Sequence, residues 1–113
     1  MRAKLSYAIK FVSDMDAAVQ FHRDVLGLPL KFHSPGWSEF ATGDVTLALH
    51  PASEKNPAGS VELGYAVKNL AGTYAARAES GLEFLSEPKP LHGTLLTSIK
   101  GSEGEACSLN EAV

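Results

Sequence analysis

Histidine and cysteine are the residue types of this sequence that most readily do chemistry, and their spacing limits which chemistry is available. The four histidines are His22, His33, His50 and His92. No two of them are two or four residues apart, so no local pair can converge on a metal ion. The single cysteine, Cys107, cannot form an internal disulfide, and no nearby base suggests a catalytic thiol. We interpret Cys107 as a buried core residue.

A predicted β-hairpin brings a carboxylate and a histidine to one face of a sheet. The Gly-Asp pair at 43–44 is typical of a two-residue hairpin turn. In that register Glu39 is opposite Ala48, and Trp37 is opposite His50, so these four residues share a face. Glu39 and His50 are then diagonal neighbours, which can form either an acid–base couple or a solvated pair at the surface. The other face is largely apolar and contains Ser38, Phe40, Leu47 and Leu49.

The segment before this hairpin predicts a capped amphipathic helix. Ser13 is a candidate N-cap, and Gly27 supplies the left-handed residue that ends the helix. One face combines apolar residues with a single histidine at helical spacing: Met15, Ala18, Val19, His22 and Leu26. We therefore expect His22 on or beside the buried stripe, as a packing residue with one hydrogen bond.

The chain repeats this arrangement. Val-Ser-Asp-Met at 12–15 and Val-Lys-Asn-Leu at 67–70 each end a predicted strand and open a helix, and Gly81 ends the second helix as Gly27 ends the first. The repeat predicts two βαβββ modules in one domain, at about 3–50 and 61–113, joined by a linker at 51–60. Three strands are predicted after the second helix, at 83–86, 93–99 and 105–109.

Bulk composition excludes several classes of function. A chain of 113 residues with 44% apolar and 20% charged residues is typical of one globular domain. Its net charge of −3, without a run of basic residues, argues against nucleic-acid and membrane partners. The N-terminal residues lack the apolar core of a secretory leader, so we expect a cytoplasmic location.

Three strings carry a resemblance to a known family. They are Val-Ser-Asp-Met-Asp at 12–16, Phe-His-Arg-Asp-Val-Leu-Gly-Leu at 21–28 and Val-Lys-Asn-Leu at 67–70. Together with the repeat, they resemble the vicinal oxygen chelate superfamily, which includes glyoxalase I, bleomycin-resistance proteins, fosfomycin-resistance proteins and extradiol dioxygenases. The resemblance implies an α+β fold in which tandem βαβββ modules form a cupped mixed sheet with a concave pocket. It also implies a homodimer. His22 stands where the family pattern usually has tyrosine.

The same resemblance implies four metal-ligand positions, and they are poorly filled here. Carried over position by position, they fall on Tyr7, Ala48, Glu62 and Ser108. Only Glu62 is a usual metal ligand, and a slip of two residues would add His50. A catalytic site needs about three protein ligands plus an open position. We therefore expect no metal and no other cofactor.

A ligand-binding face follows from the hairpin and the family alignment. It should be rich in aromatic residues with a few polar groups, and contains Tyr7, Ile9, Phe11, Trp37, Glu39, Ala48, His50, Glu62 and Ser108. Trp37 and Tyr7 can stack on a flat ligand, while Glu62 and Glu39 can receive its cationic or hydrogen-bonding groups. In the alternative interpretation, Trp37 only fills the core.

The leading hypothesis is a metal-free protein of the bleomycin-resistance type, which binds a small organic ligand in this pocket. The alternative is an enzyme, a glyoxalase-like lyase or isomerase, in which Glu62 or Glu39 acts as a general base, with His50 as a further catalytic candidate. A third hypothesis is a partner-binding module whose cavity is filled.

Overall fold

The two halves of the chain repeat one order of elements, which is a strand, a helical segment and three strands. The computed structural model describes residues 1–91 and 93–112. The first half contains β1 (Lys4–Val12), α1 (Met15–Gln20), a π-helical turn (Phe21–Val25), β2 (Leu30–Phe32), β3 (Ser38–Ala41) and β4 (Thr46–Pro51). The second half contains β5 (Val61–Val67), α2 (Leu70–Ala75), α3 (Arg77–Ser80), β6 (Lys89–Leu91), β7 (Thr94–Lys100) and β8 (Ala106–Glu111). This order confirms the predicted α+β fold of tandem βαβββ modules.

The chain divides into two compact units that differ slightly from the sequence halves. The N-terminal unit is residues 6–62, and the C-terminal unit is residues 1–5 together with the chain from residue 63 onward. The helices in the described ranges are short, and none is long and apolar enough to cross a membrane.

In the N-terminal unit the strands lie in the order β2, β3, β4, β1, and β3 and β4 form the predicted hairpin. Glu39 pairs with Ala48, and Ala41 pairs with Thr46, as the two-residue turn requires. Gly43 has a φ of 99°, a conformation that a residue with a side chain rarely adopts. The predicted register of the hairpin is therefore confirmed.

Opposite faces of this sheet hold different clusters. The cluster between the sheet and α1 contains Val12, Phe40 and Leu49 from the strands and Val19 from the helix, all of them buried. The other face contains Ile9, Phe11 and Ala48, with Tyr7, Trp37 and Ala52 packed against them. This division follows from strand alternation, because β1 pairs in parallel with β4 and places Ile9 beside Ala48.

The first helix begins one residue later than predicted. Asp14, rather than Ser13, is the N-cap, and its side chain accepts a hydrogen bond from the N–H of Ala17 at 3.0 Å. Asp14 has the extended backbone that an N-cap residue adopts, and its carboxylate also favours the positive end of the helix. After Gln20 the helix widens into the π-helical turn, and Gly27 ends it with a φ of 72°.

His22 lies in that π-helical turn and is 4% exposed. Its Nδ1 donates to the carbonyl oxygen of Ala18 at 2.7 Å, and its ring packs 5.6 Å from the ring of Phe40. The prediction that His22 is a buried packing residue with one hydrogen bond is confirmed.

In the C-terminal unit the strands lie in the order β5, β8, β7, β6. Its core contains Val67, Leu70, Ile99, Cys107 and Leu109. Cys107 is thus a buried core residue, as predicted. The predicted helix signals are also confirmed, because Asn69 accepts a hydrogen bond from the N–H of Gly72 and Gly81 ends α3 with a φ of 77°.

The strand predicted at 83–86 is wrong as a regular strand. Phe84 makes an isolated bridge with Ile99, and the edge strand of this unit is β6 instead. The chain turns away after Ser86, whose carbonyl accepts a hydrogen bond from the Thr97 hydroxyl at 2.7 Å. Pro90 lacks an N–H donor, which an edge strand tolerates.

Strand alternation in β5 places Val61 and Leu63 on the side opposite Glu62, and that side is expected to pack against a helix, but the structure leaves both side chains exposed. Their exposed fractions are 56% and 38%. The apolar core of the C-terminal unit instead contains Val67, at the end of β5, and Leu70, at the start of α2.

Candidate functional site

Four rings form a continuous cluster on the face of the N-terminal sheet that does not pack against α1. Tyr7 and Trp37 have ring centroids 6.2 Å apart, and Trp37 and His50 are also 6.2 Å apart with their planes at 80°. Phe11 meets His50 edge to face at 5.5 Å. We call this surface the aromatic face and define it by Tyr7, Ile9, Phe11, Trp37, Ala48 and His50. The site residues predicted on β1 and β4 are thus brought together.

Trp37 is fixed at both its backbone and its indole. The Ser34 hydroxyl donates to the Trp37 carbonyl at 2.7 Å, while the Trp37 N–H donates to the same hydroxyl at 3.1 Å. The indole Nε1–H donates to Oε2 of Glu39 at 2.7 Å. This ring therefore has a defined orientation immediately before β3 begins.

Glu39 is engaged through both of its carboxylate oxygens. Oε2 accepts the Trp37 indole, and Oε1 lies 3.7 Å from Nζ of Lys31. Its side chain is only 17% exposed, although Lys31 is mostly exposed. Burial raises the pKa of the Tyr7 phenol, and the nearby negative charge of Glu39 raises that pKa further. Tyr7 is therefore a neutral hydrogen-bonding group at physiological pH.

His50 does not pair with Glu39 in this structure. Its Nδ1 donates to the carbonyl oxygen of Pro51 at 2.8 Å, which places a proton on Nδ1. In the neutral ring Nε2 is then the acceptor. No hydrogen bond or ion pair between Glu39 and His50 occurs among the described residues, so of the two alternatives for this pair the acid–base couple is not formed here.

Glu62 lies just after the segment of chain that pairs with the end of β1. The N–H of Phe11 donates to the carbonyl of Ser60 at 2.9 Å, and the N–H of Gly59 donates to the carbonyl of Phe11 at 2.8 Å. These bonds tie the last residues of the predicted linker to the aromatic face. Glu62 is two residues beyond Ser60, so in extended chain the side chains of Ser60 and Glu62 point to the same side.

The Glu62 carboxyl is in an unusual environment for an acidic side chain. It is partly buried, and that burial raises its pKa above the ordinary range. The positive charges of His50 and Lys55 act in the opposite direction but are smaller effects. Over residues 1–91 and 93–112, no hydrogen bond or ion pair engages its oxygens. Glu62 is therefore an acceptor available to a ligand.

The four family positions for metal ligands do not fit a divalent ion. Ala48 is fully buried and has no donor atom, and Tyr7 is a phenol whose raised pKa disfavours the anionic form that binds metal. The described part of the chain contains no group of three or more histidine, cysteine, aspartate or glutamate side chains placed to hold a metal. His92 lies outside the described residues. The donor set present therefore gives no basis for a metal-dependent step.

Ser108, the remaining predicted site residue, belongs to the C-terminal unit. It pairs with Gly64 on β5 and with Ser98 on β7, and it is partly buried. A shallow hollow of about 500 Å³ also lies in that unit, lined by Met1, Asn69, Gly72, Thr73, Ala76, Glu79 and Ser80. This hollow contains no aromatic ring and none of the residues predicted to bind a ligand.

The sequence analysis did not identify two residues that hold Trp37 and Glu39 in place. Ser34 begins a Ser-Pro-Gly-Trp turn, and that turn signature could have indicated that Trp37 is held by its own loop. Lys31 pairs with Glu39 across two strands, and the sequence carries no signal for this contact because β2 pairs with β3 through an irregular register.

Comparison with solved structures supports the fold. The hypothetical protein BH1468 from Bacillus halodurans C-125 is similar with a TM-score of 0.77 and 19% identity, over 100% of this chain and 96% of that chain. The methylmalonyl-CoA epimerase from Mycobacterium tuberculosis has a TM-score of 0.78 and 17% identity, over 96% and 87% of the two chains. A glyoxalase/bleomycin resistance protein/dioxygenase superfamily member from Vibrio splendidus 12B01 has a TM-score of 0.66 and 16% identity, over 99% and 100%. These identities are low, so the likeness concerns the fold alone.

Comparison of the sequence with curated proteins gave no match. The model of the Glyoxalase/Bleomycin resistance protein/Dioxygenase superfamily matches residues 4–105, which is most of the chain. With the repeated βαβββ order already described, this match is decisive, and the chain belongs to the glyoxalase/bleomycin resistance protein/dioxygenase superfamily.

Proposed function

We propose that this chain binds a small organic ligand on the aromatic face, without a resident metal ion, in the manner of bleomycin-resistance proteins. One observation carries the proposal. The Trp37 indole is held by Glu39 while its ring contacts both Tyr7 and His50. The bond satisfies the indole N–H and holds the ring in one orientation, and a ring that stacks on a ligand gains from such a fixed orientation.

The metal-free part of the proposal rests on the chemistry of the donors. Ala48 occupies a family ligand position with a methyl group, and Tyr7 occupies another with a neutral phenol. Elemental mass spectrometry on protein purified without a chelator or a metal-affinity tag tests it. We expect background metal only, whereas about one divalent ion per chain would contradict the proposal.

Ligand binding is tested with flat apolar probes and a variant of the central ring. We expect 2-naphthylmethanol to raise the melting temperature of the wild type, because a ligand that binds only the folded state stabilises it. Trp37→Leu should lose this shift. Phe21→Leu is the matched control, because Phe21 is an exposed aromatic residue of the same unit in the π-helical turn. No shift in the wild type, or an equal shift in Trp37→Leu, would contradict the proposal.

A second candidate function is proton abstraction by Glu62, as in an epimerase or a glyoxalase-like isomerase. It is favoured by the raised pKa of Glu62, which is a property of general bases that work near neutral pH. Glu39 is the weaker candidate because both of its oxygens are engaged. Turnover of a hemithioacetal, or deuterium uptake from solvent into methylmalonyl-CoA, that is lost in Glu62→Gln and kept in Glu87→Gln would favour this function.

We further propose that the chain is a cytoplasmic homodimer. Light scattering at micromolar concentration tests the oligomeric state, and a monomer would remove this part of the proposal. A partner-binding role remains the third candidate, for which no small probe should shift the melting temperature.

A further inference from the structure

We infer that the ligand of the aromatic face carries a cationic head group, an ammonium or amidinium, and that Glu62 is the carboxylate that receives it. This inference deepens the proposed function and rests on it. It assigns different roles to the two glutamates of the site, because Glu39 orients Trp37 while Glu62 binds the ligand.

Both carboxylate oxygens of Glu39 are already engaged by other residues. Oε2 accepts the indole N–H of Trp37 at 2.7 Å, and Oε1 is paired with Nζ of Lys31 at 3.7 Å. Recruiting Glu39 to a ligand would break one of these contacts and release the ring that the ligand must stack on. Glu39 is therefore a positioning residue.

The carboxylate oxygens of Glu62, in contrast, are not engaged within the part of the chain that the structure describes. Its carboxylate is partly withdrawn from water but is not paired with any described group through a hydrogen bond or an ion pair. A partly buried carboxylate without a partner carries a desolvation cost, which a cationic donor offsets. An anionic ligand would instead meet the negative charges of both Glu39 and Glu62.

The surrounding rings favour the same charge. The faces of tryptophan and tyrosine attract cations, and the partly buried rings of Trp37 and Tyr7 lie together on this surface. Nδ1 of His50 already donates to the Pro51 carbonyl, so the acceptor left for an ammonium hydrogen is the Glu62 carboxylate. A flat apolar body with a cationic head therefore matches both the rings and this carboxylate.

The test compares naphthalene ligands whose head groups are cationic, neutral or anionic. Calorimetric titrations use 2-naphthylmethylammonium, the neutral 2-naphthylmethanol and the anionic 2-naphthoate, with wild type, Glu62→Gln and Glu87→Gln. Glu87 is an exposed carboxylate of the C-terminal unit, so its variant has the same change in net charge. We expect the wild type and Glu87→Gln to bind the ammonium about tenfold more tightly than the alcohol, and 2-naphthoate more weakly than either. In Glu62→Gln the ammonium should lose its advantage.

The possible results separate this inference from the proposed function. Equal affinity for the ammonium and the alcohol would overturn the inference while leaving a ligand-binding aromatic face. A preference for the ammonium that persists in Glu62→Gln would overturn the role of Glu62. Failure of all three probes to bind the wild type would overturn both the inference and the proposed function. If Glu62→Gln does not fold, the order of the three affinities in the wild type still decides whether the ligand is a cation.

Discussion

The indole nitrogen of Trp37 donates a hydrogen bond of 2.7 Å to the carboxylate of Glu39. This bond fixes the orientation of the ring at the centre of the aromatic face. The two residues are two positions apart, so strand alternation directs both side chains to one face. Lys31 closes the arrangement at the other oxygen of Glu39. The bond makes the orientation of the ring a consequence of the fold.

Removing the Glu39 acceptor should free the Trp37 ring. In Glu39→Ala we expect the fluorescence of Trp37, the sole tryptophan, to shift to longer wavelength because the indole gains access to water. The free energy of unfolding should fall by about 1.5 to 3 kcal/mol, as is typical of a lost hydrogen bond to a charged group. Glu39→Gln retains an acceptor oxygen and should change both quantities less. An unchanged emission spectrum in Glu39→Ala would contradict the positioning role.

Glu39 should also be visible in the titration of Tyr7. Burial is the larger cause of the raised pKa of Tyr7, and the charge of Glu39 is the smaller one. In Glu39→Gln we therefore expect this pKa to fall part of the way toward its ordinary value. Ultraviolet absorbance of tyrosinate against pH measures it, with Tyr7→Phe identifying the signal among the three tyrosines. If the pKa of Tyr7 is the same in Glu39→Gln and wild type, the charge of Glu39 does not act on Tyr7.

Glu62 should make the folded state less stable as pH rises. Its pKa is raised in the folded protein, so the folded state holds the proton more tightly than the unfolded chain does. The stabilising contribution is fully present below the unfolded pKa and is lost as pH rises through the folded pKa. Glu62→Gln should therefore gain stability relative to wild type between about pH 4 and pH 7, measured by urea denaturation. Glu87→Gln is the control. The account would be contradicted if the difference in free energy of unfolding between Glu62→Gln and wild type were the same at about pH 4 and at about pH 7.

His22 should contribute to stability and not to ligand binding. Its ring is buried on the α1 side, against Phe40 and bonded to Ala18, whereas the aromatic face lies on the other side of the sheet. His22→Phe should lower the free energy of unfolding by about 1 kcal/mol through the lost hydrogen bond and should leave probe binding unchanged. If that variant folded with normal stability but no longer bound the probe, His22 would have to be assigned to the site.

Much of the fold could be predicted because its signals are local or repeat. The turn at 43–44 determines which residues of the hairpin oppose each other, and the pairing of Glu39 with Ala48 follows from it. Asn69 and Gly81 could be assigned for the same reason, since capping and a positive φ are properties of single residues. His22 could be placed from helical spacing alone.

The errors occur where several nearby residues compete for one role. Ser13 and Asp14 are both good N-cap residue types, and in the structure Asp14 has the extended backbone and accepts the hydrogen bond from Ala17. Residues 83–86 have the composition of a strand and bond to β7 through Glu83, Leu85 and Ser86, but they form only an isolated bridge, and regular pairing with β7 occurs in β6. Side-chain contacts in the site were harder to predict than the strands, because the contact of Lys31 with Glu39 depends on an irregular register between β2 and β3.

The measurement that tests the central claim most directly is a calorimetric titration of chelator-treated protein with 2-naphthylmethylammonium. The account predicts saturable binding of about one probe per chain, which is lost in Trp37→Leu, kept in Phe21→Leu, and unchanged when a divalent metal is restored. Binding that needs the metal, or that survives in Trp37→Leu, would contradict a metal-free site on the aromatic face.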